Sequence, residues 1–256
     1  MGKRPKRKIV LLLVEGKSDR EALQLAIPEF YDQIDENIEV FFPIIRKDEE
    51  EAGGDITSRI GVHPRNIEGE IYSLFLKDFF DEEKIMPKDI SEIIQIVDID
   101  GVYIPDEAVV EGENPNGTGK PYYGAESIIC LNTDHIIKRN VYKRENLDYL
   151  SSLTTIKVRQ KTVPYSVYYF SSNLDHFLHH EANLEYRMKC YLADTFAKNH
   201  IGDPEGFVEE ISGDPAAVTG MTYEESWDYI RQGLNSLQRH TNINLLFDRL
   251  ISEGAE

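Results

Sequence analysis

Residues 9–19 read IVLLLVEGKSD, and residues 92–100 read EIIQIVDID. Each stretch begins with an apolar run of strand length, as expected of a strand buried on both faces, and ends in carboxylates. The carboxyl ends of parallel strands meet at one edge of a sheet, where α/β proteins bind their ligands. The two stretches therefore predict a parallel sheet with four carboxylates gathered at one edge. These are Glu15, Asp19, Asp98 and Asp100.

The next part of the sequence alternates between strand and helix patterns. Further strands are predicted at residues 37–45 and 163–172, and helices at residues 18–31, 69–84 and 132–150. Such alternation predicts an α/β fold, Rossmann-like, in which helices cover both faces of a mostly parallel sheet.

From residue 173 onward the pattern is helical, with helices predicted at residues 173–199, 222–232 and 242–252. We therefore predict an α/β domain over residues 1–175 and a helical C-terminal region over residues 176–256. The residue pattern leaves two roles open for that region, since it could pack on the α/β domain or dock a partner.

Composition limits the function classes. The chain has 256 residues and a net charge of −18, which argues against binding nucleic acid through charge alone. A polyanionic substrate would require metal ions or a basic partner. The two widely spaced cysteines, Cys130 and Cys190, suggest reduced thiols and a cytoplasmic protein. No apolar run approaches the roughly 20 residues of a membrane span, so no membrane association is expected.

Basic residues are unevenly distributed along this acidic chain. They cluster in an amino-terminal tail, in the predicted helix 132–150 and in the run IKVRQKTV. If that run is extended, its three basic side chains share one face, either as a solvated sheet edge or as a phosphate-contacting surface. The basic residues in question are Lys3, Arg4, Lys6, Arg7, Lys8, Lys138, Arg139, Lys143, Arg144, Lys157, Arg159 and Lys161.

The carboxylates at the predicted sheet edge suit a metal ion. In an extended strand Asp98 and Asp100 point the same way, and Glu15 would face them from a neighbouring strand. Oxygen ligands without cysteine favour Mg²⁺ or Mn²⁺ over zinc, with one or two ions. Asp19 has a second interpretation, because a carboxylate is also stabilised in the first turn of a helix. In the run SDRE, Ser18 and Glu21 predict a capping box at that helix start.

The two motifs also carry a family resemblance. A strand followed by EGKSD, and some eighty residues later a strand followed by DID, resembles the Toprim domain of topoisomerases, bacterial primases and OLD-family nucleases. The resemblance implies a nuclease that cleaves phosphodiester bonds. It implies Glu15 as a metal ligand or general acid/base, Asp98 and Asp100 as metal ligands, and Asp19 as a ligand of a second metal. Gly16 would allow a tight turn at the site.

A further segment places the chain near one branch of that family. The run SSNLDHFLHH, residues 171–180, follows a predicted strand and resembles the RloB-like group of small Toprim proteins, which is associated with ATPase-linked phage defence. This resemblance implies a separate ABC/SMC-like ATPase as partner, with nucleic acid as substrate; a homo-oligomer is open as well. The local sequences around Lys17 and Lys120 do not complete a P-loop, because Leu11 and Pro121 occupy required motif positions.

Other residues are weaker candidates. Lys17 and Lys120 could contact substrate phosphate or be solvated, and Asp175 could supply a further acid or start a helix. His176 and His180 share a helix face if the helix continues past both, with His179 beside them. A packed or solvated role is the expectation for all three histidines.

Two other functions are consistent with parts of the sequence. DIDGV, which begins at Asp98, also resembles the motif of haloacid dehalogenase-like phosphatases, in which Asp98 would be the nucleophile and Asp100 the general acid. That interpretation leaves EGKSD without a role. The second alternative is a Toprim module that binds metal without cleaving and acts by docking an ATPase.

Overall fold

The apolar run near the amino end of the chain forms a central strand of the main sheet. The computed structural model describes residues 7–47 and 50–254. Lys3, Arg4 and Lys6 of the basic tail lie outside the described residues. The last two basic residues of the tail pair with acids: Arg7 with Glu39, and Lys8 with Asp35.

The strands of the described residues are short except at the centre of the main sheet. In chain order they are β1 (Lys8–Leu13), β2 (Ile38–Phe41), β3 (Arg46–Lys47), β4 (Glu50–Glu51), β5 (Ile90–Asp98), β6 (Val109–Glu111), β7 (Tyr122–Tyr123), β8 (Ile128–Cys130), β9 (Thr155–Val158) and β10 (Lys161–Phe170). The main sheet has the order β2-β1-β5-β10-β9. Its first four strands are parallel and β9 is antiparallel to β10. The predicted α/β fold with a mostly parallel sheet is confirmed.

The helices connect these strands and then form the C-terminal region. They are α1 (Lys17–Leu23), α2 (Ala26–Ile34), α3 (Ile67–Ile71), α4 (Lys77–Glu83), α5 (Thr133–Ser151), α6 (Leu174–His179), α7 (Tyr186–Asn199), α8 (Pro204–Ser212), α9 (Tyr223–Ile230) and α10 (Asn244–Gly254). A π-helical turn over Tyr72–Leu76 joins α3 to α4. None of the helices in the described part of the chain has the length and apolar character to cross a membrane.

Two hydrophobic cores cover the two faces of the main sheet. Alternate residues of β1 enter different cores, with Leu11 in the first and Leu12 in the second, since successive strand side chains point to opposite faces. The first core also contains residues of α3, α4, α5 and α9, and the second contains residues of α1, α2, α6, α7, α8 and α10. Burial on both faces explains why the strands read as continuous apolar runs.

The C-terminal helices are tied to the sheet by buried polar contacts as well as by the second core. Asn242 is fully buried, and its side chain accepts a hydrogen bond from the Tyr169 N–H of β10 at 2.7 Å. The same side chain donates to the Ser226 hydroxyl of α9 at 3.0 Å. One amide therefore joins the sheet, α9 and the start of α10.

Several predicted boundaries are wrong, for local reasons. The helix predicted at 18–31 is two helices, α1 and α2, and β2 ends before Pro43, which has no N–H to donate to a sheet. Helix α8 lies between the predicted helices at 173–199 and 222–232, where the sequence pattern predicts no helix. Asp203 instead caps this helix by accepting from the Gly206 N–H, with Pro204 in its first turn.

Removing the Asn242 side chain should destabilise the protein. Asn242→Ala leaves the buried Tyr169 N–H without its partner, so we expect the free energy of unfolding to fall by about 1–3 kcal/mol in urea denaturation. The matched control is Asn199→Ala at the exposed end of α7, which should change it by less than about 0.5 kcal/mol. Equal effects of the two substitutions would contradict the bridging role.

Candidate active site at the carboxyl edge of the sheet

The predicted acidic residues lie at the switch point of the main sheet, where the connections on the two sides of β1 run in opposite directions. The chain leaves β1 to form β2 on one side and returns to form β5 on the other side of β1. Such a switch point opens a crevice at the carboxyl ends of the two strands. Glu15 follows β1, Asp98 is the last residue of β5, and the Asp98 N–H donates to Glu15 Oε1 at 3.2 Å. The two motifs of the sequence therefore meet.

One group of charges forms around a buried lysine of α5, which we call the Lys143 cluster. It consists of Lys143, Glu15, Asp55 and Asp100. The Lys143 ammonium, which is 0% exposed, lies 2.7 Å from Asp100 Oδ2 and 2.8 Å from Asp55 Oδ2. Glu15 Oε1 is more distant, at 3.9 Å. The burial of this ammonium is compensated by carboxylates from three separate segments.

A second group lies on the α1 and α7 side of the site, and we call it the Lys189 cluster. It consists of Lys189, Asp19, Asp98 and Asp175. Lys189 of α7 forms an ion pair with Asp175, whose side chain is 3% exposed. Asp98 Oδ1 accepts a hydrogen bond from the Leu174 N–H at 3.0 Å. The first turn of α6 thus contributes both a carboxylate and a backbone donor to the site.

Asp98 and Asp100 do not point in the same direction, although they would do so in a continuous strand. Strand β5 ends at Asp98, and Asp100 has a left-handed backbone with φ 54°. Strand alternation therefore no longer applies at Asp100. Asp98 belongs to the Lys189 cluster and Asp100 pairs with Lys143, although both line the same cleft.

Asp19 has the structural role that the sequence left open, at the start of a helix. Its carboxylate accepts a hydrogen bond from the Gly16 N–H at 2.8 Å, so it stabilises the start of α1. Asp19 also lies close enough to Asp98 for its charge to raise the pKa of Asp98. The capping box predicted for Ser18 and Glu21 is wrong, since α1 begins two residues earlier than that pattern requires.

Burial and like charges raise the pKa of three carboxyl groups in the site. The pKa of Glu15 is well above its usual range, because of burial and then the nearby Asp55 charge. The pKa of Asp98 is likewise well above its range, through burial and then Asp19, and that of Asp19 is raised by burial and Asp175. Burial is the largest cause of all three shifts, and the neighbouring carboxylates add to it.

The pKa of Asp55 moves the other way. Burial alone would raise it, but the adjacent Lys143 ammonium lowers it below the usual value. The pKa of Lys143 itself is raised well above its usual value, since the surrounding carboxylates overcome the effect of burial. Lys143 and Asp55 are therefore a charged pair at neutral pH.

A cleft of about 450 Å³ opens onto Asp98 and Asp100. One wall is the loop between β6 and β7, and another is the start of α7. The Asn183 side chain bonds both the N–H and the C=O of Tyr123, at 2.8 and 2.9 Å, and so fastens the end of that loop. The cleft therefore has a defined rim beside the acidic residues.

Of the predicted phosphate-contacting residues, only some lie near the site. Lys120 lines the cleft, and Lys17 is the first residue of α1, directly after Gly16. Lys157, Arg159 and Lys161 do not reach it. The chain reverses at Arg159, with φ 57°, so the three do not share one extended face, and the Lys161 ammonium binds the Ile90 carbonyl at the opposite end of β5.

The three histidines do not form a common face. His180 ends α6 in a left-handed conformation with φ 59°, so it does not align with His176 along the helix. Burial lowers the pKa of both His176 and His179. Both cysteines are free thiols.

Asp55, Lys143 and Lys189 were not identified from the sequence as site residues. Asp55 follows Gly53 and Gly54. This glycine pair is the one local signal that the backbone before Asp55 approaches another segment closely. Lys143 and Lys189 stand on helices among other charges, where a lysine is normally solvated. Only the packing of α5 and α7 on the sheet brings them to the carboxylates.

The donor atoms of the site fit a hard divalent cation in type and charge. All six acids offer oxygen ligands, and they outnumber the two lysine ammonium groups of the site. As placed, however, no three His, Cys, Asp or Glu side chains of residues 7–47 and 50–254 are arranged to hold a metal ion. The carboxylates of the Lys143 cluster are turned toward the ammonium group instead, so metal binding would require them to reorient.

The fold and site define an α/β protein with a Rossmann-like, mostly parallel sheet and an acidic site at its switch point. Comparison of the chain with models of known protein families, with curated proteins and with solved structures found no match. The geometry of the site is therefore the basis for assigning a function.

Gly53 should be more sensitive to substitution than another glycine of the same conformation. It has φ +64°, and an added Cβ would lie 2.9 Å from the Glu15 carbonyl oxygen. Gly117 has φ +67° with nothing within 4 Å. We expect Gly117→Ala to cost about 1–2 kcal/mol of unfolding free energy and Gly53→Ala clearly more, because Glu15 must also move. Equal losses in urea denaturation would show that the approach to Glu15 is not tight.

Because folding raises the pKa of Asp98, replacing its carboxyl group with a neutral amide should stabilise the protein more as pH rises. A carboxyl group whose pKa is raised by folding stabilises the protein at low pH, and this contribution is lost as pH rises through the raised value. In EDTA, Asp98→Asn should therefore become more stable than the wild type as pH increases from about 5 to about 8, by on the order of 1 kcal/mol. Asp106→Asn, at an exposed position, should show no such trend. Parallel stability curves for Asp98→Asn and wild type would refute the shift.

Proposed function

We propose that the chain is a metal-dependent nuclease of the Toprim type that hydrolyses phosphodiester bonds in nucleic acid. The observation that carries the proposal is the convergence of Glu15, Asp98 and Asp100 at the switch point of the sheet, beside a cleft. Charged groups with perturbed pKa values in a cleft are typical of functional sites.

The charge of the site supports a divalent cofactor. The Lys143 and Lys189 clusters together hold six carboxylates and two ammonium groups, an excess of four negative charges when all are ionised. One or two Mg²⁺ or Mn²⁺ ions would offset this excess. We propose Glu15, Asp98, Asp100 and Asp19 as ligands, with Asp175 as an additional acid. A bound ion would polarise the phosphate and activate the attacking water.

The chain's own residues would position the substrate and the ligands. Lys120 and Lys189 line the cleft, so their ammonium groups can offset the charge of a phosphodiester. Lys143 would hold Asp55 in place through their ion pair, whereas Asp100 would turn from Lys143 to bind the metal. The acidic surface elsewhere would disfavour polyanions, so the lysines and the metal together would determine where nucleic acid binds.

Glu15 distinguishes this proposal from the phosphatase alternative. A phosphatase that used Asp98 and Asp100 would need no acid after β1, yet Glu15 accepts a hydrogen bond from the Asp98 N–H. The resemblance to phage-defence proteins adds the proposal that a separate ABC/SMC-like ATPase controls the activity. A module that only docks such an ATPase would not depend on Glu15.

Cleavage assays test the nuclease proposal. Purified protein is incubated with plasmid, single-stranded DNA and transfer RNA in Mg²⁺ or Mn²⁺, alone and with a candidate ATPase. We expect cleavage that EDTA abolishes and that Glu15→Gln or Asp98→Asn slows by roughly a hundredfold or more, because each removes a catalytic carboxylate.

The matched controls are Asp106→Asn and Glu107→Gln, which make the same changes at exposed positions between β5 and β6. They should cleave at the wild-type rate. Intact polymers under every condition would rule out the nuclease. Release of phosphate from a small phosphomonoester that survives Glu15→Gln but not Asp98→Asn would instead support the phosphatase.

A further inference from the structure

A second cleft, on the outer side of α5, is lined by more basic than acidic residues. Its volume is about 410 Å³, and it lies between the loop of residues 58–63 and the outer face of α5. We call it the α5 groove. It is lined by Arg59, His63, His135, Lys138 and Arg139 against one acid, Glu145. The chain as a whole has 46 acidic and 28 basic residues, so this groove reverses the average charge.

Two of the cations are available to a ligand. Arg59 and Lys138 are exposed, and neither side chain has an ion pair or hydrogen bond within the part of the chain that the structure describes. The Lys138 ammonium lies over the Tyr142 ring, 5.9 Å from its centroid. Many other basic side chains, such as Arg231 and Arg249, are paired with acids. The groove therefore presents positive charge that the fold itself does not use.

The groove also has exposed apolar and aromatic surface. Tyr142 is 44% exposed, and Ile60, at the tip of the loop, is 99% exposed. A single nucleic-acid strand offers phosphates at one edge and stacking bases at the other. Cations beside an aromatic ring match both parts of such a strand, whereas an acidic peptide would use only the charge.

Arg139 connects the α5 groove to the acidic site. Arg139 lines the groove, and its guanidinium donates to the Asp100 carbonyl at 3.1 Å and to the Tyr123 hydroxyl at 2.8 Å. Asp100 and Tyr123 both line the cleft of the acidic site. A strand in the groove would therefore be separated from the proposed cleavage position by the side chain of Arg139.

We propose that the α5 groove binds a single strand of nucleic acid, with Arg59 and Lys138 contacting phosphates and Tyr142 stacking on a base. The inference rests on the proposed nuclease function, since it assigns the path of that enzyme's substrate. It replaces Lys157, Arg159 and Lys161, which lie toward the far end of the sheet, as the phosphate-contacting surface.

Fluorescence anisotropy with labelled oligo(dT) and oligo(U) tests the groove, in EDTA so that no strand is cut. Arg59→Glu/Lys138→Glu should weaken binding roughly tenfold or more, and the slope of log affinity against log salt should fall by about 1.4, for two lost phosphate contacts. Tyr142→Ala should weaken binding about fivefold or more. The matched control, Lys77→Glu/Lys88→Glu, makes the same charge change at exposed lysines outside the groove and should change affinity less than about twofold.

The outcomes separate this proposal from the nuclease proposal. Equal affinities for wild type and Arg59→Glu/Lys138→Glu, or equal losses in that variant and the control, overturn the groove even if the protein cuts nucleic acid. If binding depends on the groove but the assays in Mg²⁺ or Mn²⁺ show no cleavage, the groove proposal is supported and the nuclease proposal is rejected. Binding of polyglutamate in place of either strand overturns the proposal in favour of an acidic protein partner. Circular dichroism confirms that each variant is folded.

Discussion

The buried ammonium group of Lys143 is the interaction on which the site depends. It joins carboxylates from three segments that are distant in sequence: Glu15 after β1, Asp55 after β4 and Asp100 after β5. Removing one partner from such a buried group generally costs about 3–5 kcal/mol, because the remaining charge is uncompensated. The position of α5 on the sheet and the geometry of the acidic edge are therefore coupled.

The same edge holds more negative charge than the fold neutralises. Asp19, Asp98 and Asp175 share one ammonium group, that of Lys189, and the pKa of Glu15 is raised although Lys143 is near. A purely structural ion-pair network would gain stability from balanced charges. Retaining the excess costs stability, and the metal ion of the proposed function would offset it.

The parts of the fold that could be predicted are those governed by short-range pattern. The strands ending at Glu15 and Asp98 were predicted because residues buried on both faces read as apolar runs. The extended face of Lys157, Arg159 and Lys161 was wrong because a turn at Arg159 depends on its left-handed backbone, and β propensity alone does not reveal it. The start of α1 was displaced for a similar reason, since Ser18 and Asp19 are both plausible capping residues by type.

The sequence by itself determined that Glu15 and Asp98 would meet, because parallel strands align their carboxyl ends at one edge. It also determined the oxygen-rich, acidic character of that edge. Only the tertiary structure decided which cations face these acids and which way each carboxylate turns. Lys143 and Lys189 reach the site by the packing of α5 and α7, and Asp100 turns away from Asp98 because the strand ends between them. Those outcomes depend on contacts between residues far apart in the chain, which no local pattern encodes.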